Sequence, residues 1–392
     1  MKRNYILIIL CLFLALTTNV FGQYAIGHKS LSYVDASRSS RSITTDTYYP
    51  ATSAGDNTPI ASGEFPVIVF GHGFDMGDDA YVYIEDSLVP LGYIVVFPTT
   101  ESGLSPSHSD FGLDLAFLIN QMKTEGASSS SFFYNHVSAQ SAVMGHSMGG
   151  GASFLACENN AVPTCMVTFA AAETTPSAIA ASQSVTIPAL VLSGSSDCIA
   201  PPSTNQIPMY DSLASGCKVF LSLTGGGHCY FGDANTACSF GETMTSGCTH
   251  PLSRAAQHQI ILNFIKPYLT YYLKGNSASW TVFNDSLSIS NVSRFTYKES
   301  CITTNINGNT SSAEFSISPI PSSNKIILFC SLTGKYSIEI IDVLGKQVLP
   351  EISGYNMSGA STSIDISSLT KGMYFVELNI NGQKLYKKIL KD

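Results

Sequence analysis

Gly145–His146–Ser147–Met148–Gly149 is the stretch best suited to chemistry. A serine spaced between two glycines, directly after an apolar run (Ala142–Val143–Met144) and before a helical one, is the pattern of a nucleophile on a strand-to-helix turn. The turn is too sharp for a Cβ at its flanks, hence the glycines, and it lifts the Ser147 hydroxyl clear of the sheet. A hydroxyl is a weak nucleophile, so it needs a base within hydrogen-bond reach and a third group to orient the base. Asp197 lies 50 residues downstream, where the run PALVLSGSS ends. Its competing role is an Asx turn or a helix cap. His228 follows 31 residues later at the end of Gly225–Gly226–Gly227, a loop free enough to swing an imidazole over a serine. Its competing role is that of an ordinary surface-loop histidine.

Acyl transfer also needs donors for a developing oxyanion. The Met148 amide, next to the nucleophile, is one. The second is expected from the loop after an early strand, where Phe70–Gly71–His72–Gly73–Phe74 lies, and the Phe74 amide is the expected donor. His72 reads as a structural hydrogen-bonding group under that loop, and His146 as a side chain packed beside the pocket. This chemistry requires no cofactor. Asp75, Asp78 and Asp79 lack EF-hand spacing and read as caps of the following helix, so no metal is expected. Phosphate-loop and dinucleotide fingerprints are absent, because the glycines at 225–227 open no G-x-G-x-x-G helix.

These residues must be held by buried strands. Residues 66–70, 93–97, 142–145, 165–170, 189–193 and 218–223 are continuous rather than alternating apolar runs, the mark of parallel strands covered on both faces. Helical stretches are expected at 79–89, 110–124, 148–158, 204–213 and 251–273, the last with Pro251 at N1 and Gly275 beyond its end. The fold class is therefore α/β, a three-layer sandwich on a mostly parallel sheet. After about residue 298 the pattern changes. Residues 301–314 are polar and Asn/Ser-rich, a linker. Residues 315–392 form a small all-β sandwich, with strands at 325–330, 336–343, 361–366 and 373–381 and turns at Gly345, Gly354 and Gly382.

Composition narrows the class. The chain has 392 residues, 44% hydrophobic and only 12% charged, with a net charge of −8. That balance excludes a disordered chain and argues against nucleic acid or an anionic membrane as partner. Residues 1–22 carry Lys2 and Arg3, an apolar run at 5–16, and Val20–Phe21–Gly22 before Gln23. This reads as a secretory signal peptide, leaving a catalytic domain at 23–300. Nine of ten cysteines remain after its removal, and an oxidising compartment turns them toward disulfides.

The order Ser147, Asp197, His228 is that of the α/β-hydrolases. Together with G-H-S-M-G-G at 145–150, D-C-I-A-P at 197–201 and H-G-F at 72–74, it resembles the secreted polyester hydrolase, lipase and cutinase group. That group is related to dienelactone hydrolases and includes enzymes acting on poly(ethylene terephthalate). The resemblance spans about residues 65–272. It implies an α/β-hydrolase fold, ester or polyester substrates, and an acyl pocket lined by Phe74 and Met148. A second aromatic is implied after the strand ending Phe169–Ala172. This chain has Glu173, Thr174 and Thr175 there, so Thr174 stands in that place and grip on an aromatic polyester is weakened. A serine exopeptidase of the same fold and a non-catalytic adhesion protein are the alternatives, the latter expected to have lost a member of the triad.

The tail resembles the C-terminal sorting domain of the type IX secretion system, through Ser316–Ile317–Ser318–Pro319, Ile341–Asp342–Val343–Leu344–Gly345–Lys346, Leu369–Thr370–Lys371–Gly372–Met373–Tyr374 and the terminal KKILKD. This implies the outer-membrane secretion machinery as partner and secretion or cell-surface attachment. The catalytic protein is expected to act as a monomer. The cysteines follow from the active-site reading. If Asp197 and His228 are bonded, their loops run side by side, and a Cys198–Cys229 disulfide is expected, as some relatives bridge those loops. Cys157–Cys165, Cys238–Cys248 and Cys217–Cys301 complete the expected set, with Cys330 free. The alternative pairs Cys198 or Cys229 with Cys238.

Overall fold

The computed structural model describes residues 24–158, 160, 162–245, 248–288, 295–301, 315–319, 321–330, 333–342, 346–356, 361–381 and 383–392. The expected signal peptide and most of the expected linker lie outside these residues. The chain divides into two compact units, Met1–Ile302 and Thr303–Asp392.

Among the described residues the first unit has ten strands: β1 (Ala25–Asp35), β2 (Arg41–Ala51), β3 (Gly55–Asp56), β4 (Phe65–Gly71), β5 (Ile94–Pro98), β6 (Val137–His146), β7 (Cys165–Phe169), β8 (Ala189–Gly194), β9 (Cys217–Leu223) and β10 (Phe295–Cys301). Its helices are α1 (Val82–Leu88), α2 (His108–Ala127), α3 (Met148–Cys157), α4 (Ala178–Ser182), α5 (Gln206–Ser212), α6 (Thr236–Met244), α7 (Arg254–Lys274) and α8 (Ser277–Ser288). The sheet order is β10-β9-β8-β7-β6-β4-β5-β2-β1-β3. From β5 through β9 all neighbours are parallel, while β1, β2 and β10 join antiparallel at the edges.

Period-2 alternation splits the apolar runs between two cores. Val67, Val69, Ile94, Val96, Val143 and Val191 face one side, against Phe111, Leu115, Leu118 and Phe154 of α2 and α3. Ile68, Phe70, Val95, Phe97, Met144 and Leu192 face the other, against Ile84, Ile261, Phe264 and Tyr268 of α1 and α7. This is the three-layer α/β arrangement. Two local expectations need correction. Helix α7 starts at Arg254 rather than with Pro251 at N1, because Ser253 is the N-cap and accepts from the Ala256 amide at 3.3 Å. Asp75, Asp78 and Asp79 do not cap: Gly77 occupies the cap position without a side-chain bond, and the Tyr48 hydroxyl donates to Asp78 at 2.6 Å.

The second unit holds β11 (Phe315–Ser318), β12 (Lys325–Cys330), β13 (Gly334–Ile341), β14 (Ile352–Asn356), β15 (Ser361–Asp365), β16 (Gly372–Ile380) and β17 (Gln383–Lys391). They form a three-stranded sheet, β11-β12-β15, and a four-stranded one, β14-β13-β16-β17. Ile326 and Leu328 of one sheet share a core with Ile338, Ile340, Val376 and Leu378 of the other, which makes an all-β sandwich. Gly354 lies within β14, opposite Tyr336, and not in a turn. Gly345 and Gly382 lie outside the described residues.

Candidate active site

Parallel strands deliver their C-terminal ends to one side of a sheet, and the register makes those ends level. Gly71 pairs with Gly145, His146 with Phe169, Phe169 with Leu192, and Gly194 with Leu223. The loops after β4, β6, β8 and β9 therefore emerge together, carrying Phe74, Ser147, Asp197 and His228.

Ser147 sits between β6 and α3 at φ 55° and ψ −119°, a conformation few non-glycine residues hold. Its backbone is pinned on both sides: its N–H donates to the Phe169 carbonyl at 2.9 Å, and its carbonyl accepts from Ala172 and Gly151 at 2.9 and 3.0 Å. The turn closes because its flanks are glycine. A methyl on Gly149 would collide with the Gly71 carbonyl, and one on Gly145 with the carbonyl of Gly149.

The three candidate side chains form one hydrogen-bonded line. The Ser147 hydroxyl donates to His228 Nε2 at 2.9 Å, and His228 Nδ1–H donates to Asp197 Oδ2 at 2.7 Å. A carboxylate only accepts, so the proton belongs on Nδ1 and Nε2 is the free base. All three are buried. Asp197 also makes the Asx turn weighed for it, its other oxygen accepting from the Ile199 and Ala200 amides at 2.9 and 2.8 Å. The acid and base loops do run side by side: Ser195 donates to Leu223 and Ser196 to Gly226, both at 2.9 Å.

Met148 is the first residue of α3, so its amide has no carbonyl within the helix and faces outward at the positive helix end. Phe74 is three residues past β4 and 47% exposed, while Met148 is buried. His72 is a structural group, as its position suggests, with ring nitrogens 2.8 Å from the Gly73 carbonyl and 2.9 Å from that of Thr100. Thr174 is the third residue expected to touch substrate. It is buried, its hydroxyl donates to the Pro176 carbonyl at 2.7 Å, and its methyl packs on Gly151.

The disulfides differ from the expected set. Cys198 is bonded to Cys248 and Cys229 to Cys238, the latter being the pairing held open as the alternative. The expected Cys198–Cys229 and Cys238–Cys248 bonds are therefore absent. The reason is directional. Contact between the Asp197 and His228 side chains leaves the direction of the next side chain in each loop unset. Both cysteines pair instead with the segment 238–248: Cys238, in α6, ties that helix to the His228 loop, and Cys248, beyond the end of α6, is tied to the Asp197 loop. Cys157 and Cys165 are not bonded either; both are buried thiols, and burial pushes them up, Cys157 to about 12. Cys217 is disulfide-bonded, and the backbone register sets Cys301 opposite it. Cys330 is buried in the second unit. Among the described residues no cluster of metal-ligating side chains forms.

Several supporting residues carry no sequence motif. Gln257 of α7, buried, clamps the base loop through the Gly227 carbonyl at 3.0 Å and amide at 3.1 Å. Gln206 of α5 donates to the Ala200 carbonyl at 3.1 Å and to that of Ala171, joining the acid loop to the segment behind the nucleophile. A glutamine at i−3 and i−4 from Ile260 and Ile261, on a face otherwise apolar, is the one signal available for Gln257.

A family model described as PET hydrolase-like matches residues 17–248, more than half of the chain. The chain belongs to the PET hydrolase-like family. A second model, described as a secretion system C-terminal sorting domain, matches residues 316–392. This PET hydrolase-like chain thus carries its own export signal at the C-terminus and is secreted or held at the cell surface. No helix among the described residues is long and apolar enough to cross a membrane. It is similar to Cutinase est1 of Thermobifida alba, 28% identical over 174 residues, covering 43% of this chain and 55% of the relative. Cutinase 1 of Thermobifida cellulosilytica is 28% identical over 176 residues, covering 43% and 63%. Cutinase of Thermobifida fusca (strain YX) is 28% identical over 176 residues, covering 43% and 54%. The chain therefore spans less than two thirds of each of these relatives.

Proposed function

We propose that this PET hydrolase-like protein is a secreted serine carboxylic-ester hydrolase, and that Ser147, His228 and Asp197 are its triad. The observation that carries the reading is the unbroken line from the Ser147 hydroxyl through both imidazole nitrogens to a buried carboxylate. His228 Nε2 takes the hydroxyl proton as Ser147 Oγ attacks the ester carbonyl. The amides of Met148 and Phe74 stabilise the oxyanion, and Asp197 stabilises the imidazolium. His228 returns the proton to the leaving alkoxide. Water, activated by the same imidazole, then releases the acid and restores Ser147.

For substrate we infer an aliphatic ester chain of the cutin or aliphatic-polyester kind. The relatives are cutinases, Phe74 offers an exposed ring, and Thr174, where a second aromatic is implied, is folded inward. The test is a panel of p-nitrophenyl esters beside aminoacyl anilides, followed by films of an aliphatic and a terephthalate polyester. Ester turnover with faster loss of the aliphatic film is expected. Anilide cleavage without ester cleavage would replace the esterase by a peptidase.

A further inference from the structure

Behind the triad lies a second hydrogen-bonded line, made of residues to which the proposed mechanism assigns no step. His146 and Tyr81 are both fully buried. The Gly73 amide donates to the Tyr81 hydroxyl at 2.8 Å, and that hydroxyl lies 2.9 Å from His146 Nδ1. On the other side of the ring, His146 Nε2 lies 3.2 Å from the backbone carbonyl of His228. Donor and acceptor chemistry fixes every proton in this line. The His228 carbonyl only accepts, so Nε2 carries the hydrogen. Burial holds His146 well below the usual histidine range, with His228 alongside adding to the effect, so the ring is neutral and Nδ1 is bare. Burial raises Tyr81, so its hydroxyl keeps its proton; it faces His146 Nδ1 at 2.9 Å and Met76 Sδ, a much weaker acceptor, at 3.5 Å, and donates to Nδ1.

We propose that His146 is a positioning residue for the reaction, held in its Nε2–H tautomer by Tyr81 and coupling the oxyanion loop at Gly73 to the main chain of His228. The inference rests on the Ser147–His228 reading above. The geometry gives the coupling a specific content. Phe74, the proposed donor, is the next residue after Gly73, and the anchored carbonyl belongs to the base itself. Asp197 orients the imidazole of His228 from its ring side. His146 fixes the backbone from which that ring hangs. A neutral His146, with its ring centre 4.9 Å from that of His228, also spares the imidazolium formed in catalysis a like charge. Gly73 belongs to the same design, because a Cβ there would crowd Met76 and approach His146 Nδ1 to 3.2 Å.

Two measurements test this. Nitrogen-15 NMR of the wild-type imidazoles is expected to show His146 protonated at Nε2 alone, a readout independent of any activity. A proton on Nδ1 would overturn the proposal whether or not the protein hydrolyses esters. Steady-state kinetics on a soluble p-nitrophenyl ester then compares Tyr81→Phe, His146→Leu, His146→Gln and the Tyr81→Phe/His146→Leu pair, each checked for folding. Displacing positioned groups by about 1 Å costs up to ~100-fold. Tyr81→Phe and His146→Leu are expected to lower kcat about 10- to 100-fold with KM changed less than about threefold. The pair should be no worse than His146→Leu, as members of one line are non-additive. His146→Gln, which can donate and accept, should recover most of the rate. Folded Tyr81→Phe protein with reduced melting temperature but unaltered kcat would reduce both residues to packing and sink the proposal. Absence of ester turnover in the wild type would instead fail the esterase reading.

Discussion

Replacing Asp197 by asparagine exploits an asymmetry in how its carboxylate is held. Oδ1 accepts from two backbone amides, Ile199 and Ala200, while Oδ2 accepts from His228 Nδ1–H. An asparagine keeps the turn only by placing its carbonyl oxygen where Oδ1 was, since an NH2 group would face two donors. Its NH2 must then point at His228 Nδ1. Two N–H groups cannot face each other, so the imidazole moves its proton to Nε2, which points at the Ser147 hydroxyl. The base is lost while the fold is kept. The wrong tautomer costs about four orders of magnitude in kcat, roughly 5 kcal/mol of transition-state stabilisation. Asp197→Ala should lose the turn as well and destabilise the protein by about 1–3 kcal/mol, because the buried amides lose their acceptor. The assay is p-nitrophenyl ester turnover with melting curves for both variants. An Asp197→Asn protein that retains more than a tenth of wild-type kcat would refute the reasoning.

Three further outcomes follow from other parts of the molecule. Asp114, fully buried, accepts from Arg41 at 2.8 and 2.9 Å, from Thr100 at 2.7 Å and from Arg38, tying the β1–β2 hairpin to α2. Asp114→Ala should therefore cost about 3–5 kcal/mol in chemical denaturation, and a loss below 1 kcal/mol would contradict that role. Glu85 is pushed up to about 8 by burial, reinforced by Asp78, Asp86, Asp233 and Asp46. The folded state thus keeps a proton that the unfolded chain releases near its usual carboxyl pKa. Stability from this group is complete below about pH 4.5 and is lost as pH rises through 8, on the order of 2 kcal/mol after allowance for solvent screening. Glu85→Gln should flatten that part of the stability–pH curve, and an unaltered curve would exclude Glu85 as its source. A chain ending after Ile302 keeps β10 paired with β9 and every residue of the proposed machinery, so it should hydrolyse soluble esters at the full-length rate. One ending before Phe295 should melt lower.

Much of the fold is legible because burial leaves a simple mark. Strands β4, β5, β7 and β8 are buried along their whole length and read as apolar runs, interrupted only by Thr168 and Ser193. The N-terminal hairpin left no such mark. Strand β2, RSITTDTYYPA, buries one face only and is rich in Thr and Tyr, and β10, FTYKESC, is a polar edge strand. The candidate triad is legible because nucleophile, acid and base each sit at the end of an apolar run in a fixed order. What holds them is not. The proposed tautomer lock of His146 depends on Tyr81, 65 positions away, and the glutamine clamps reach Gly227 and Ala171, 30 and 35 positions away. The pairings of Cys198 and Cys229 differ from expectation for a related reason: adjacency to Asp197 and His228 identifies the loops, but side-chain direction is a property of the folded backbone.

The most direct measurement is covalent. An alkyl fluorophosphonate reacts with an activated serine by oxygen attack at phosphorus and loss of fluoride, and the adduct survives digestion. Mass spectrometry of the treated protein should find a single phosphonyl group, located on Ser147, with ester turnover lost in proportion. Ser147→Ala should take up none. Labelling at another serine, or full ester turnover by a protein fully labelled at Ser147, would contradict the account.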